Sequence, residues 1–348
     1  MAEPPRVLIV GGSGVFGRLL ARELLETTGA HLVIAGRDPW RAVDACLALD
    51  APGRVEPLGL DLTREGALAN AARDCAIVAC AAGPFQCLPP QRVAEALAAG
   101  AHWLDISDSA TWVLGLLDDA VLARGALRAA RAVLTGQSSV PALSGALVRW
   151  CLERAPGADR ARVTLSIGNR NAKGRGAIAS ALGSTAPRPR WVALPFGRRR
   201  ALPFASPDAA LLRRELGLAA EMQVAFQLPG ASAVLACAAL AARRLSAPNR
   251  LRLAAVLATL AAPLSRLGSG LGCLQADLFQ GGRLRARAAF VSTDQRLAIL
   301  PAARAARELL DADHGLAGVP PPSAWLPPER WIAHVQARGA RFLGQVLD

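Results

Sequence analysis

The sequence predicts an α/β protein: a doubly wound parallel sheet followed by a second, α+β domain. Three observations predict it. Short β-branched runs alternate with helical apolar periods through the first 136 residues. A glycine cluster follows the first of these runs and opens a helix. Beyond it, segments with one wet face, such as "ARVTLSIG" (161–168) and "RLRARAAF" (283–290), replace the buried runs.

The elements justify themselves in order. Residues 7–10 are a short apolar strand suited to the centre of a parallel sheet. From Val15, apolar residues recur at helical spacing as Phe16, Leu19, Leu20 and Leu24. "HLVIAG" (31–36) is a second strand, and "WRAVDACLAL" (40–49) is a helix. "VEPLGLDL" (55–62) contains a third strand, and "REGALANAAR" (64–73) a helix. "AIVACAA" (76–82), "HWLDI" (102–106) and "AVLTG" (132–136) complete six strands, with a helix at 90–100 and one long helix running to about Arg131. In such a sheet, ligands bind beyond the carboxyl ends of the strands.

The spacing Gly12-x-Gly14-x-x-Gly17 matches the dinucleotide fingerprint of a Rossmann-type fold. Gly12 is assigned the turn, Gly14 the close approach of a pyrophosphate, and Gly17 the packing of helix on sheet. Ser13 can add a hydroxyl, and Val15 and Phe16 open the helix whose N–H groups would face the phosphates. Arg37 follows the second strand, where an NAD site usually has an acid. A guanidinium binds a 2′-phosphate that an acid would repel, so the expected cofactor is NADP(H). Asp38 is the competing reading, as a ribose ligand. Asp61 and Leu62 follow the third strand; Asp61 either accepts from an adenine amino group or caps the next helix. Gly83, Pro84 and Phe85, after the fourth strand, are expected beside the nicotinamide ribose.

Bulk properties limit the other classes. Hydrophobic residues make up 52% of 348, enough for a substantial core. The net charge of +13 is carried almost wholly by scattered arginines, since Lys173 is the only lysine, and no aromatic-interleaved basic patch points to nucleic acid. Seven cysteines without a C-x-x-C pair predict free thiols, no metal site and a cytoplasmic protein. The N-terminus lacks a signal-like apolar region. The apolar segments 231–242 and 251–264 are shorter than the roughly 20 residues of a spanning helix. They read as core or amphipathic helices that either contact a membrane surface or line a substrate tunnel.

Tyrosine is absent, which excludes the short-chain reductases that use a Tyr–Lys pair. The order of "VLIVGGSGVFGRLLARELL", "LVIAGRD", "AAGPF", "AAGAHWLDISD" and "TGQSSVPALSGALV" resembles the saccharopine dehydrogenase-like oxidoreductases. The resemblance is clear over residues 5–150 and fades beyond. It implies an NADP-binding domain, 1–136, to which a C-terminal segment, 297–348, returns, and an inserted α+β substrate or dimerisation domain, 137–296. It also implies Gly12, Gly14, Gly17 and Arg37 as cofactor residues, with Gly83 and Pro84 beside the nicotinamide.

The chemistry implied is hydride transfer to a small imine or enoyl-type substrate in a cleft between the domains. A non-catalytic NADP(H)-binding redox sensor is the alternative, and a membrane-associated member acting on a lipid-like substrate is another. Candidate proton-handling residues are Asp105 and Ser107, after the fifth strand, and Lys173 in the glycine-flanked "NAKGRG". Asp108 or Ser107 is otherwise a helix cap. His102, at the opposite strand end, reads as structural. The proline- and arginine-rich segment 184–204 reads as a mobile loop or lid, and a short helix is expected at the C-terminus.

Overall fold

The computed structural model describes residues 3–171, 175–186, 188–228, 230–264 and 266–347. The chain divides into two compact units, Met1–Ser138 with Ala298–Trp325, and Ser139–Leu297 with Leu326–Asp348.

The first unit contains a six-stranded parallel sheet: β1 (Arg6–Val10), β2 (His31–Gly36), β3 (Val55–Gly59), β4 (Ile77–Cys80), β5 (His102–Asp105) and β6 (Val133–Leu134). Their order is β3-β2-β1-β4-β5-β6, the doubly wound arrangement expected. Between the strands lie α1 (Val15–Thr27), α2 (Pro39–Leu49), α3 (Ala67–Ala72), α4 (Gln91–Ala98), α5 (Ala110–Asp118) and α6 (Ala120–Arg128). Val7, Leu8, Ile9, Leu32, Ile34, Ile77 and Val78 are wholly buried, as strands covered on both faces require.

Two boundaries differ from expectation. The long helix before β6 is two helices, because Asp119 interrupts it: the Asp119 carboxylate accepts from Val121 and Leu122 N–H, each at 2.9 Å, and so starts α6. β3 stops at Gly59, so Asp61 and Leu62 follow it as expected. The returning segment supplies α12 (Leu300–Leu309), which packs against α1, β4 and β5. The chain beyond Trp325, however, belongs to the second unit.

His102 lies at the N-terminal end of β5, as expected of a structural residue. Its Nδ1 accepts from Ala132 N–H at 3.0 Å, and its ring meets His314 edge-on, centroids 5.0 Å apart. Burial first, then Arg131 and His314, lower its pKa from 6.5 to about 4. The folded state thus binds this proton less readily than the unfolded chain. The stability contributed by neutral His102 is complete above about pH 6.5 and is lost as pH falls toward about 4. Urea midpoints measured across that window should fall with pH in the wild type. The slope should be shallower in His102→Asn, which keeps an acceptor near Ala132 but does not titrate.

The second unit contains a seven-stranded mixed sheet: β7 (Arg160–Ile167), β8 (Arg190–Leu194), β9 (Gly197–Pro203), β10 (Ala219–Phe226), β11 (Gly272–Gln280), β12 (Arg283–Ser292) and β13 (Arg341–Val346). The order is β13-β12-β11-β7-β10-β9-β8, with β7 and β10 parallel and the other pairs antiparallel. Its helices are α7 (Ser144–Arg154), α8 (Arg175–Ser184), α9 (Asp208–Leu216), α10 (Ala231–Ala242), α11 (Ala247–Leu264) and α13 (Pro328–Ala337).

The segment expected to be a lid, 184–204, contains the β8–β9 hairpin instead. Val192, Leu194 and Ala201 bury one side of it against Ala225 and Cys273. Two strands have no counterpart in the sequence reading: β10 precedes the apolar segment 231–242, and β11 lies between 251–264 and the expected strand at 283–290. The expected terminal helix is α13, and a strand follows it: Phe342 of β13 packs edge-on to Trp150, with ring centroids 5.1 Å apart.

Candidate functional site

The glycine loop joins β1 to α1. Gly11, not Gly12, makes the turn: its φ is +79°, a backbone state that L side chains rarely adopt. Gly11 N–H donates to the Ala35 carbonyl at 2.8 Å, and Gly12 N–H donates to Ala35 and Ile9 carbonyls at 3.1 and 3.2 Å. The loop is therefore closed onto the ends of β1 and β2. A Cβ on Gly12 would stand 2.9 Å from Ile34 Cγ2 and from the Ile9 carbonyl oxygen. A Cβ on Gly17 would overlap the Gly11 carbonyl.

Gly14 is the N-cap of α1, extended at φ −78°, ψ 174°, and offers no side-chain acceptor to the first turn. Helix geometry leaves the N–H groups of that turn without intrahelical partners. Ser13, Gly14, Val15 and Phe16 are half-exposed around them. Arg18 Nε donates to the Ser13 carbonyl at 3.1 Å and steadies the loop.

Beside this loop the ends of β2 and β3 form a pocket of about 630 Å³, lined by Arg37, Pro39, Leu60, Asp61, Arg64 and Asn70 among others. Arg37 is exposed there. Asp38 is engaged elsewhere: its Oδ1 accepts from Trp40 and Arg41 N–H at 3.1 and 3.3 Å and caps α2. Asp61 does not cap α3, which starts after Gly66. It accepts from Thr63 N–H at 2.9 Å and Thr63 Oγ1 at 2.8 Å, closing a turn. Those bonds hold its carboxyl below the usual range, with Arg37 and Arg64 adding to the effect. The Leu62 side chain is buried.

The ends of β4 to β6 carry an aromatic and carboxylate cluster. Ala81 N–H donates to the Val10 carbonyl at 2.8 Å, which sets the Ala81–Phe85 turn beside the glycine loop. Gly83 is exposed, Pro84 half-exposed and Phe85 buried. The Phe85 ring lies 5.9 Å from that of Trp112, and Trp112 lies 6.3 Å from Trp103. Both indoles donate to Asp105 Oδ2, Trp103 at 2.8 Å and Trp112 at 3.0 Å. Ser107 and Gly136 N–H donate to Oδ1 at 3.0 and 2.9 Å. Asp105 is fully buried and its two oxygens accept from four N–H donors. Next to it in register, Cys80 has its thiol pushed up to about 12, by burial first and also by Asp105.

No family model matches the sequence, and no curated protein matches it. Among solved structures, saccharopine dehydrogenase (L-Glu forming) from Saccharomyces cerevisiae aligns over 98% of this chain and 100% of its own, with a TM-score of 0.62 and 12% identity. The chain has a saccharopine dehydrogenase-like fold. A weaker alignment, TM-score 0.44 and 15% identity, spans 100% of this chain and 98% of GenD2 from gentamicin A biosynthesis, solved with NAD.

Within the saccharopine dehydrogenase-like fold, the candidate residues fall into two groups. Gly12, Ser13, Gly14, Val15, Phe16, Gly17 and Arg37 surround the glycine loop and the pocket, with Gly83, Pro84 and Phe85 on the neighbouring turn. Asp105 and Ser107 lie in the buried cluster. Ser107 Oγ accepts from Ser109 N–H at 3.1 Å, and it is Ser109 that caps α5, through Trp112 N–H at 3.4 Å. Ser107 and Asp108 are therefore not the cap. Lys173 lies outside the described residues.

Sequence reasoning missed four residues: Gly11, Arg64, Trp103 and Trp112. The Gly11-Gly12 doublet is a signal for the first. The tryptophans are two and seven residues from the buried acid Asp105, a weaker signal. Gln137 was missed too. It donates to the Thr135 and Pro322 carbonyls at 3.1 and 3.3 Å and accepts from Trp325 Nε1 at 3.1 Å, tying the returning segment to the end of β6.

Proposed function

We propose that the chain is an oxidoreductase that uses NADP(H) on a small imine or enoyl-type substrate. One observation carries the cofactor choice: Arg37 faces the pocket after β2 while Asp38 turns away to cap α2. An acid at the end of β2 would favour a ribose hydroxyl; Asp61, which lines the pocket from beyond β3, has its Oδ1 engaged by Thr63 N–H and Oγ1. A guanidinium favours a 2′-phosphate, and Arg64 lines the same pocket.

The residues present fit a dinucleotide. Gly12 and Gly17 leave no room for side chains where the loop passes under β2 and into α1. At Gly14 an added Cβ would meet only the Gly11 carbonyl oxygen, at 3.1 Å, so the cradle's outer side is open. The first-turn N–H groups of α1 would donate to the pyrophosphate oxygens. Gly83 and Pro84 would border the nicotinamide ribose, on a turn that Phe85 anchors against Trp112. The bound nicotinamide supplies the hydride. Asp105 orients Trp103 and Trp112, and Trp112 backs Phe85, so in this reading Asp105 is a positioning residue.

Replacing Arg37 by Ala should weaken NADPH binding about ten- to a hundredfold, the loss of a charge-assisted contact, and leave NADH binding little changed. Nucleotide fluorescence titrations measure both. If wild-type protein binds NADH as tightly as NADPH, the cofactor assignment is wrong.

A specific observation favours a second reading, a redox sensor that binds NADP(H) without turnover. The acid nearest the expected nicotinamide end, Asp105, has both oxygens taken by N–H donors. Stopped-flow absorbance of bound NADPH against cyclic imines and enoyl thioesters separates the two. Oxidation by any of them supports the enzyme, and tight binding with no oxidation supports the sensor.

A further inference from the structure

The helices α8, α10 and α11 pack on one another through Leu182, Ala242 and Ala254, with Ile178, Leu235 and Leu257 around them. That contact accounts for one face of α11. Its outward face is also apolar. Val256 and Leu260 are 55% and 63% exposed, and Leu264 and Leu267, the latter just past the helix, are 47% and 54% exposed. Val256, Leu260 and Leu264, spaced by four, form one row along the helix, and Leu267 follows just past its end. Val256 to Leu264 extends about 12 Å along the axis. α10 also leaves two large apolar side chains, Val234 and Leu240, exposed. A helix that is apolar on both faces is normally buried on both, and a row of this kind in solvent marks a missing partner.

Charge identifies the partner. Between Met222 and Ala276 the sequence has five arginines, at 243, 244, 250, 252 and 266, and no aspartate or glutamate. Arg252 and Arg266 are exposed and bracket the α11 row. A second copy of the same surface would bring like charges together. A strongly apolar row flanked by arginines instead complements a surface that is oily below and anionic above. No helix among the described residues is long and apolar enough to cross a membrane, so the contact is interfacial.

We propose that the outward face of α11 docks on anionic phospholipid membranes, with Val256, Leu260, Leu264 and Leu267 entering the headgroup layer and Arg252 and Arg266 pairing with lipid phosphates. The docking is independent of nucleotide binding.

Vesicle flotation of the full chain tests it. Wild-type protein should float with phosphatidylcholine–phosphatidylglycerol vesicles at low salt, float weakly with phosphatidylcholine alone, and be released by high salt. Arg252→Gln and Arg266→Gln should each lower partitioning about fivefold. The double variant Leu260→Glu/Leu264→Glu should abolish it. These side chains are in solvent, so the variant's thermal midpoint should match wild type, which shows that it still folds. The proposal is overturned if wild type does not float, if it floats equally on both vesicle types, or if the double variant floats as well as wild type. Light scattering supplies the remaining outcome: a wild-type dimer that Leu260→Glu/Leu264→Glu converts to monomer would assign the row to self-association and overturn the proposal.

Discussion

Gly17→Val is expected to abolish nucleotide binding and to destabilise the first unit by about 3 kcal/mol or more, the upper range for overpacking. The clash is with backbone, which cannot rotate away as a side chain would. A Cβ at this position overlaps the carbonyl of Gly11 and approaches Gly12 Cα to 2.7 Å. Relief requires α1 to move off β1, and that opens the turn held by the Gly11 and Gly12 N–H bonds to Ala35. Gly14→Ala is the matched control. Its added methyl meets a single atom at 3.1 Å, so the fold should survive with a small loss. The methyl stands at the mouth of the cradle, so NADPH affinity should still fall. Urea denaturation and NADPH titration of both variants check this. A Gly17→Val protein as stable as wild type would mean that the loop is not packed as described.

Asp105→Ala has the second large effect. Removal of the carboxylate leaves two indole and two backbone N–H groups buried without an acceptor. Each such donor costs about 1–3 kcal/mol, so a loss of about 4 kcal/mol or more is expected. Asp105→Asn should also be costly, because its amide nitrogen must face at least one donor. The tryptophans report directly: with Trp103 and Trp112 released, emission should shift toward the solvent-exposed value before the main unfolding transition. A stability change below about 1 kcal/mol in Asp105→Ala would show that the cluster is not held by this carboxylate.

Much of the first unit was legible because its strands are buried on both faces and announce themselves as apolar runs. The glycine spacing located the loop, and the residue after β2 located the pocket. What the spacing could not show is which glycine carries the positive φ, since Gly11 and Gly12 look alike in a string. Nor could it show that Asp38 caps α2. That follows from Oδ1 reaching Trp40 and Arg41 N–H, a local choice between two uses of one side chain. Asp105 was legible as an acid at the right strand end. Its environment was not, because two of its four donors are indoles brought in by β5 and α5.

The second unit was harder to read. β10 hides between apolar helical stretches, and the β8–β9 hairpin is rich in arginine and proline. Its alternation, with Val192 and Leu194 buried and Trp191 68% exposed, is visible only when proline is not taken as a sign of a loop. β13 is mostly exposed at a sheet edge, so periodicity gave it no signal.

The path of the chain has a further consequence. Both units are discontinuous: the first is completed by α12, whose last residue is Leu309, and the second by β13, which ends at Val346. During synthesis the first cannot reach its final form before Trp325 has left the ribosome, nor the second before Val346 has. Until then β12 presents an open edge of unpaired N–H and C=O groups, the kind that templates pairing between chains. The nascent protein therefore passes through a long interval in which both of its sheets exist without their last supports. Its yield in a cell depends on how quickly Leu300–Leu309 and Arg341–Val346 emerge and take their places, each in its own unit.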